Sequence, residues 1–370
     1  MTKTKPAARV IALEEAFLHP ALWEQYPEGL KQRYSVVKKR LSDVGPDRLK
    51  VMDAAGIDMQ VLSHVQPGVQ ILTDTKLAVQ ISREVNDWLG NVVRTYPDRF
   101  AGFAALPTQS PREAAAELER TVIAYGFKGA LINGHTNGHY LDEPTFAPLL
   151  EQAQGLDVPI YIHPTDPPTQ ISAKYYAPYT DRMVPSWGWP VETGTHLLRL
   201  ICGGIFDQYA NLKIIVGHMG ELLPYCYARL NIALTMGDWL LSAQEKKAGK
   251  RPQGHMKKSF AYYMKHNVYI TSSGVFEQPV FDCAVGMLGI DNLMFSVDDP
   301  LRDNIEAMEF LADCRLSAQD RERFAHGTAE RLLKLPPHQD QPTVRPNRRE
   351  AFRARLRSRI GRAVIGTLVK

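Results

Sequence analysis

The stretch L-K-I-I-V-G-H, residues 212–218, is a short apolar run that ends on a glycine and a histidine. Three other segments have the same form. V-I-A-L precedes Glu14, V-P-I-Y-I precedes His163, and L-M-F-S-V precedes Asp298. An apolar run of four to six residues reads as a strand buried on both faces, as in a parallel sheet. Two carboxylates and two imidazoles released at the ends of such strands, far apart in sequence, point to one divalent metal at the mouth of a parallel barrel.

Further runs complete the pattern. Strands are expected near 9–13, 60–64, 101–106, 128–133, 158–162, 213–217, 268–271 and 293–297, eight in all. Helical periodicity fills 75–96, 111–125, 145–154 and 192–206, the crossovers that consecutive parallel strands require. The fold class predicted is α/β, a (β/α)8 TIM barrel with loop insertions and a basic C-terminal extension, with residues 1–340 as the barrel domain and 341–370 as the tail. The length of 370 residues allows this, since about 250 suffice for one barrel.

Insertions at 18–46, 164–190 and 236–262 interrupt the rhythm. The second carries Pro167, Pro168, Tyr175, Tyr176, Tyr179, Trp187 and Trp189. Loops after the strands form the active face of a barrel, so this segment reads as a lid or aromatic substrate wall, or as a packed loop or subunit contact.

Composition is that of an ordinary globular protein, with 44% hydrophobic and 23% charged residues. No apolar stretch is long enough to span a bilayer, and the N-terminal M-T-K-T-K-P lacks a secretory apolar segment, so a cytoplasmic protein with no transmembrane segment is expected. Cys202, Cys226, Cys283 and Cys314 have no C-x-x-C spacing and read as buried thiols. The net charge of +4 is carried by the tail, where eight Arg and Lys370 face Glu350 alone; the remainder stands at −4. Such a body is no nucleic-acid-binding face.

In the tail, Phe352, Leu356, Ile360, Val364 and Leu368 recur every four residues, the pattern of a basic amphipathic helix. It suits docking on a neighbouring subunit or attachment to anionic lipid.

The motifs together resemble a known family. I-A-L-E-E-A-F (11–17), G-F-K-G-A-L-I-N-G-H-T-N-G-H-Y-L-D (126–142), V-P-I-Y-I-H-P (158–164), I-I-V-G-H-M-G-E-L-L-P-Y (214–225), N-V-Y-I-T-S-S-G (267–274) and M-F-S-V-D-D-P (294–300) are similar to the amidohydrolase superfamily. More narrowly they resemble its non-oxidative aromatic decarboxylases, of the dihydroxybenzoate and γ-resorcylate type, related to aminocarboxymuconate semialdehyde decarboxylase. The resemblance runs from about residue 9 to about residue 335.

What the resemblance implies is a metal-dependent decarboxylase of an ortho-hydroxylated aromatic carboxylic acid, reversible at high bicarbonate, and a homodimer or homotetramer. It makes Glu14, His163 and Asp298 the metal ligands, for one Mn²⁺, Zn²⁺ or Mg²⁺. Ala16 stands where other family members carry a further histidine, an E-x-A form found in the dihydroxybenzoate branch. Asp298 is expected to protonate the ring carbon. His218 and Glu221, three residues apart in H-M-G-E, form a proton-handling pair. Asn133, His163, Asp299, Leu301 and Trp189 are the expected substrate-binding residues. Asp299 and Leu301 depart from the family's usual V-D-Y-P with an aromatic next, replacing an aromatic wall.

His19, His64, His135 and His139 fall near strand ends or loops and are candidates for the pocket lining. His196, in the helical T-G-T-H-L-L-R-L, reads as structural. Two other functions remain open from the residues alone: a metal-dependent hydrolase of a lactone or C–C bond, and a non-catalytic or membrane-associated relative.

Overall fold

The computed structural model describes residues 9–248 and 256–336. Among the described residues nine short strands run in chain order as β1 (Ile11–Phe17), β2 (Met59–His64), β3 (Phe100–Gly102), β4 (Ala104–Ala105), β5 (Ala130–Asn133), β6 (Ile160–His163), β7 (Ile214–Val216), β8 (Val268–Thr271) and β9 (Leu293–Met294). All neighbouring pairs are parallel, in the orders β1-β2-β3 and β4 through β9.

β3 and β4 are one barrel position. Phe103 donates its amide to Leu62 on one side, and Ala104 donates to Gly129 on the other, so residues 100–105 hand the sheet from β2 to β5. At the opposite seam Leu13 bridges Ser296 in parallel, and its amide donates to Phe295. The eight expected strands therefore close into one (β/α)8 barrel.

Alternation along the strands splits the core in two. Ile11, Leu13, Val61, Phe103, Tyr161 and Ile215 fill the barrel interior, while Ala12, Ile160, Ile162, Ile214 and Val216 face the helices. Leu333 and Leu335 plug the floor, where Arg9 binds Glu330 and the Pro336 carbonyl. The helix Thr75–Thr95 shows why the crossovers form: the Asp74 side chain caps the amides of Lys76 and Leu77, and Ala78, Ile81, Ser82, Val85, Asn86 and Leu89 bury one face.

Two strand ends differ most from the sequence expectation. β1 runs to Phe17 instead of stopping at residue 13, because a register shift between Ala12 and Glu15 absorbs Glu14 as a bulge. β9 stops at Met294 instead of 297, because side chains replace the ladder beyond it, as shown below. The insertion at 18–46 folds into the short helices Pro20–Gln25, Glu28–Tyr34 and Lys38–Ser42. Much of the third insertion is the long helix Leu223–Lys247. No helix among the described residues is long and apolar enough to cross a membrane. The tail at 341–370 lies outside the described residues.

Candidate active site

Four strand ends deliver their polar side chains to one pole of a cavity of about 320 Å³. Glu14 comes from the bulge in β1, His163 from the end of β6, His218 from just past β7 and Asp298 from just past β9. Glu14, His218 and Asp298 place one ligand atom each within 4.8 Å of one another. His163 Nε2 joins them 3.2 Å from Glu14 Oε1.

The backbone is strained where these residues sit. Glu14 (φ 63°), His218 (φ 49°), Glu221 (φ 56°) and Asp298 (φ 75°) all occupy the left-handed region, together with Met219. A side chain held there costs on the order of 1–3 kcal/mol and persists only where surroundings over-determine it. That strain is concentrated at this one pole.

Glu14 shows how the surroundings do so. Its Oε2 accepts hydrogen bonds from the Tyr161 and Ser273 hydroxyls. Tyr161, Thr271, Ser273 and Ser296 form a hydroxyl chain behind it, with Tyr161 to Thr271 at 2.7 Å and Ser273 to Ser296 at 3.0 Å. Gly217 leaves room for the carboxylate, since a Cβ there would overlap Oε2 and approach the Tyr161 hydroxyl at 2.8 Å. Oε1 is left buried, without a well-aligned hydrogen bond, facing His163 Nε2 and, at 3.7 Å, His218 Nδ1.

Electrostatics separate the two carboxyls. Burial works to raise Glu14, but His218 and His163 outweigh it and hold the carboxyl at about 2. At Asp298 burial wins, with Glu14 adding to it against His218, and the carboxyl is pushed up to about 7. His218 goes the other way: burial opposes its charge, but Glu14 and Glu221 push the imidazole up to about 10. Its Nδ1 lies 3.3 Å from Glu221 Oε1, and its Nε2 4.0 Å from Asp298 Oδ2. Two neighbouring carboxyls pushed apart in this way are suited to different roles.

The set fits a divalent ion. The Glu14 and Asp298 carboxylates with either imidazole, His218 from the close trio or His163 beside Glu14, form a fairly hard donor set, suited to Mn²⁺, Mg²⁺ or Zn²⁺. The His163 ring is oriented for it, since Nδ1 is engaged with the Pro164 carbonyl at 2.8 Å and Nε2 is turned toward Glu14 Oε1.

Leu301 and Trp189 also line the cavity, Trp189 with its indole Nε1 donating to Asp166 Oδ1 at 2.7 Å. Two expected substrate-binding residues do not. Asp299 turns away from the cavity: its oxygens are taken by Arg40 at 2.7 Å, Arg48 at 3.1 Å and Asn304 at 2.7 Å. The left-handed turn at Asp298 sends the next side chain into this buried cluster, so Asp299 replaces no wall. Asn133 is drawn the other way. Gln70 holds its amide and carbonyl at 2.6 and 3.1 Å, and its side chain borders a separate small void beside Gly68.

Of the four other candidate histidines only His64 borders the cavity. Its Nε2 accepts from the His19 amide and its Nδ1 faces the Val65 carbonyl, so both nitrogens are used. His196 is structural, fully buried and accepting from the Leu141 amide at 3.1 Å. In the aromatic insertion, Trp189 reaches the cavity and Tyr176 is buried, whereas Tyr175, Tyr179 and Trp187 are exposed.

Of the 18–46 insertion, sequence reasoning pointed only to His19, which does not border the cavity, whereas Arg33, Tyr34 and Val37 line the mouth. It also passed over the hydroxyl chain behind Glu14. Its signal was present, as polar residues at inward-facing positions of otherwise apolar strands.

The chain is similar to known proteins over most of its length. A family model described as Amidohydrolase matches residues 18–335. A γ-resorcylate decarboxylase of Polaromonas sp. is 36% identical over 332 residues, covering 88% of this chain and 98% of that protein. The 5-carboxyvanillate decarboxylase of Novosphingobium aromaticivorans, solved with manganese and 4-hydroxy-3-methoxy-5-nitrobenzoic acid, superposes with a TM-score of 0.81 at 34% identity, covering 89% of this chain and 97% of that one. A dihydroxybenzoic acid decarboxylase of Polaromonas sp., solved with manganese and 2-nitroresorcinol, gives 0.78 at 34% identity, covering 89% and 98%.

Proposed function

The chain belongs to the amidohydrolase family, and on that premise we propose that it is a metal-dependent, non-oxidative decarboxylase of an ortho-hydroxylated aromatic carboxylic acid. The observation that carries this reading is Asp298, a buried carboxyl whose Oδ2 lies 4.0 Å from His218 Nε2, at the pole of a cavity of about 320 Å³ that Glu14, His163 and apolar side chains also line.

Glu14, His163 and Asp298 would hold one divalent ion. Such an ion would supply Lewis-acid polarisation of the substrate's oxygens and offset the charge of the two acids. The known relatives solved with manganese support Mn²⁺ as the first ion to test.

The chain's own residues supply the proton. Cleaving an aryl carboxylate directly would leave an aryl anion, so the ring carbon must be protonated first. Asp298 donates its proton to that carbon. The bond to the carboxylate then breaks, its electron pair restores the ring, and CO2 leaves. His218 Nε2, facing Asp298 Oδ2, returns a proton to the carboxylate, while Glu221 keeps the imidazole charged and oriented. Val37, Val65, Leu301 and Trp189 pack the ring and exclude water. In reverse the same groups would carboxylate a phenol at high bicarbonate.

No disulfide joins Cys202, Cys226, Cys283 and Cys314, of which only Cys314 is buried as expected, and this supports a reducing, cytoplasmic setting. Tyr225, Ile232, Met236 and Trp239 leave an exposed apolar face on the helix Leu223–Lys247, which supports assembly as a homodimer or homotetramer. The tail 341–370 would be an appendage to a barrel domain ending near residue 340.

The test is turnover of ortho-hydroxybenzoates in D2O by the Mn²⁺-loaded protein. The expected product carries one deuterium at the carbon that lost CO2. A ring-opened acid instead would move the reading to a hydrolase.

A further inference from the structure

Glu14 and Glu15 are adjacent, acidic and buried, yet only Glu14 reaches the cavity. The bulge turns Glu15 into the seam where β1 meets the segment after β9. There Glu15 Oε1 accepts the Val297 amide and Oε2 accepts the Asp299 amide, each at 2.9 Å. These are the two amides that flank Asp298.

Asp298 needs such a grip. It sits at φ 75°, and the backbone ladder beside it is sparse. The seam offers the bridge from Leu13 to Ser296 and the bonds Leu13 to Phe295 and Ala16 to Asp299. Without Glu15, both flanking amides would be buried donors lacking those acceptors. Past Asp298, the Arg48 guanidinium holds Asp299 Oδ2 and donates to the Ala16 carbonyl at 2.8 Å, tying the same loop to β1 from its other side.

We propose that Glu15 is a positioning residue for the reaction: by clamping the amide on each side of Asp298, it sets the direction in which that carboxyl enters the metal site. The inference rests on the metal-dependent reading above. It differs from a purely structural role, in which Glu15 would close the barrel and leave the site's affinity for metal unchanged.

The test uses the full chain with Glu15→Gln and Glu15→Asp. Glutamine keeps the length but loses one acceptor oxygen. Aspartate keeps the carboxyl but is too short to reach both amides. Leu333→Ala, in the barrel floor, serves as a destabilised control. Mn²⁺ binding is followed by calorimetry well below each protein's melting temperature, alongside kcat and KM. The expected result is binding about 10- to 100-fold weaker in both Glu15 variants, the usual range for losing an outer partner of a ligand, with wild-type affinity in Leu333→Ala. At saturating Mn²⁺, kcat should fall more than KM changes. A folded Glu15 variant that binds Mn²⁺ within twofold of wild type overturns the proposal, and Glu15→Asp keeps it open to that outcome should the glutamine variant fail to fold. Wild-type protein that binds Mn²⁺ but releases no CO2 would sink the decarboxylase reading alone, and the affinity comparison would still judge Glu15.

Discussion

His218 Nδ1 lies 3.3 Å from Glu221 Oε1, although both residues occupy left-handed backbone within the same four-residue turn. The turn gives the imidazole a carboxylate on one nitrogen and leaves the other facing Asp298. Glu221→Gln keeps the shape and removes the charge. It should lower kcat about 10- to 100-fold while Mn²⁺ affinity stays within about twofold, as read from steady-state kinetics and a metal titration. An unchanged kcat would remove Glu221 from the mechanism.

Gly217 touches no substrate, yet a side chain there would collide with Glu14 Oε2. Its own φ of −75° suits any residue, so Gly217→Ala tests space and not backbone freedom. The expected outcome is a loss of Mn²⁺ affinity of at least tenfold, with overpacking costing about 1–3 kcal/mol of stability. Calorimetry and urea melts of the metal-free protein check both.

Leu301 lines the cavity while remaining 43% exposed, so it contributes part of an apolar wall. Leu301→Ala should raise KM for the aromatic acid about 3- to 10-fold and change kcat less, the signature of lost uniform binding. A fall in kcat at constant KM would place Leu301 in the chemistry instead.

Burial holds His64 at about 4 and His196 at about 3, both below the ordinary value of 6.5. The unfolded chain therefore takes up protons between pH 6.5 and about 4 that the fold refuses. This stability is present above pH 6.5 and is lost as pH falls through that window, about 2 kcal/mol per histidine at pH 5. His196→Gln, whose amide oxygen can still accept from Leu141, should shrink the pH 7 to 5 drop by about that amount in urea melts of metal-free protein. An equal drop in both proteins would contradict it.

The residues that lie at the ends of apolar runs were legible in the sequence, because a buried strand announces its own end. Glu14, His163, His218 and Asp298 are of this kind, and Glu221 follows from His218 by spacing. Asp299 was not, because its environment is set by Arg48, 251 residues earlier, and by the left-handed turn at Asp298. Asn133 was misread for the same reason, since its partner Gln70 is 63 residues away. Neither pairing leaves a local periodic trace. The barrel order was readable, whereas the bulge that lengthens β1 was not, because a left-handed glutamate looks like any other glutamate in sequence.

Asp298 and His163 are proposed to act through one metal site on an aromatic acid. The direct measurement is CO2 release by the Mn²⁺-loaded protein from a panel of ortho-hydroxybenzoates, beside Asp298→Asn and His163→Ala. The prediction is release from at least one member by wild type, reduced at least 10³-fold in both variants. Release that survives either substitution, or silence across the panel with Mn²⁺ bound, would contradict it.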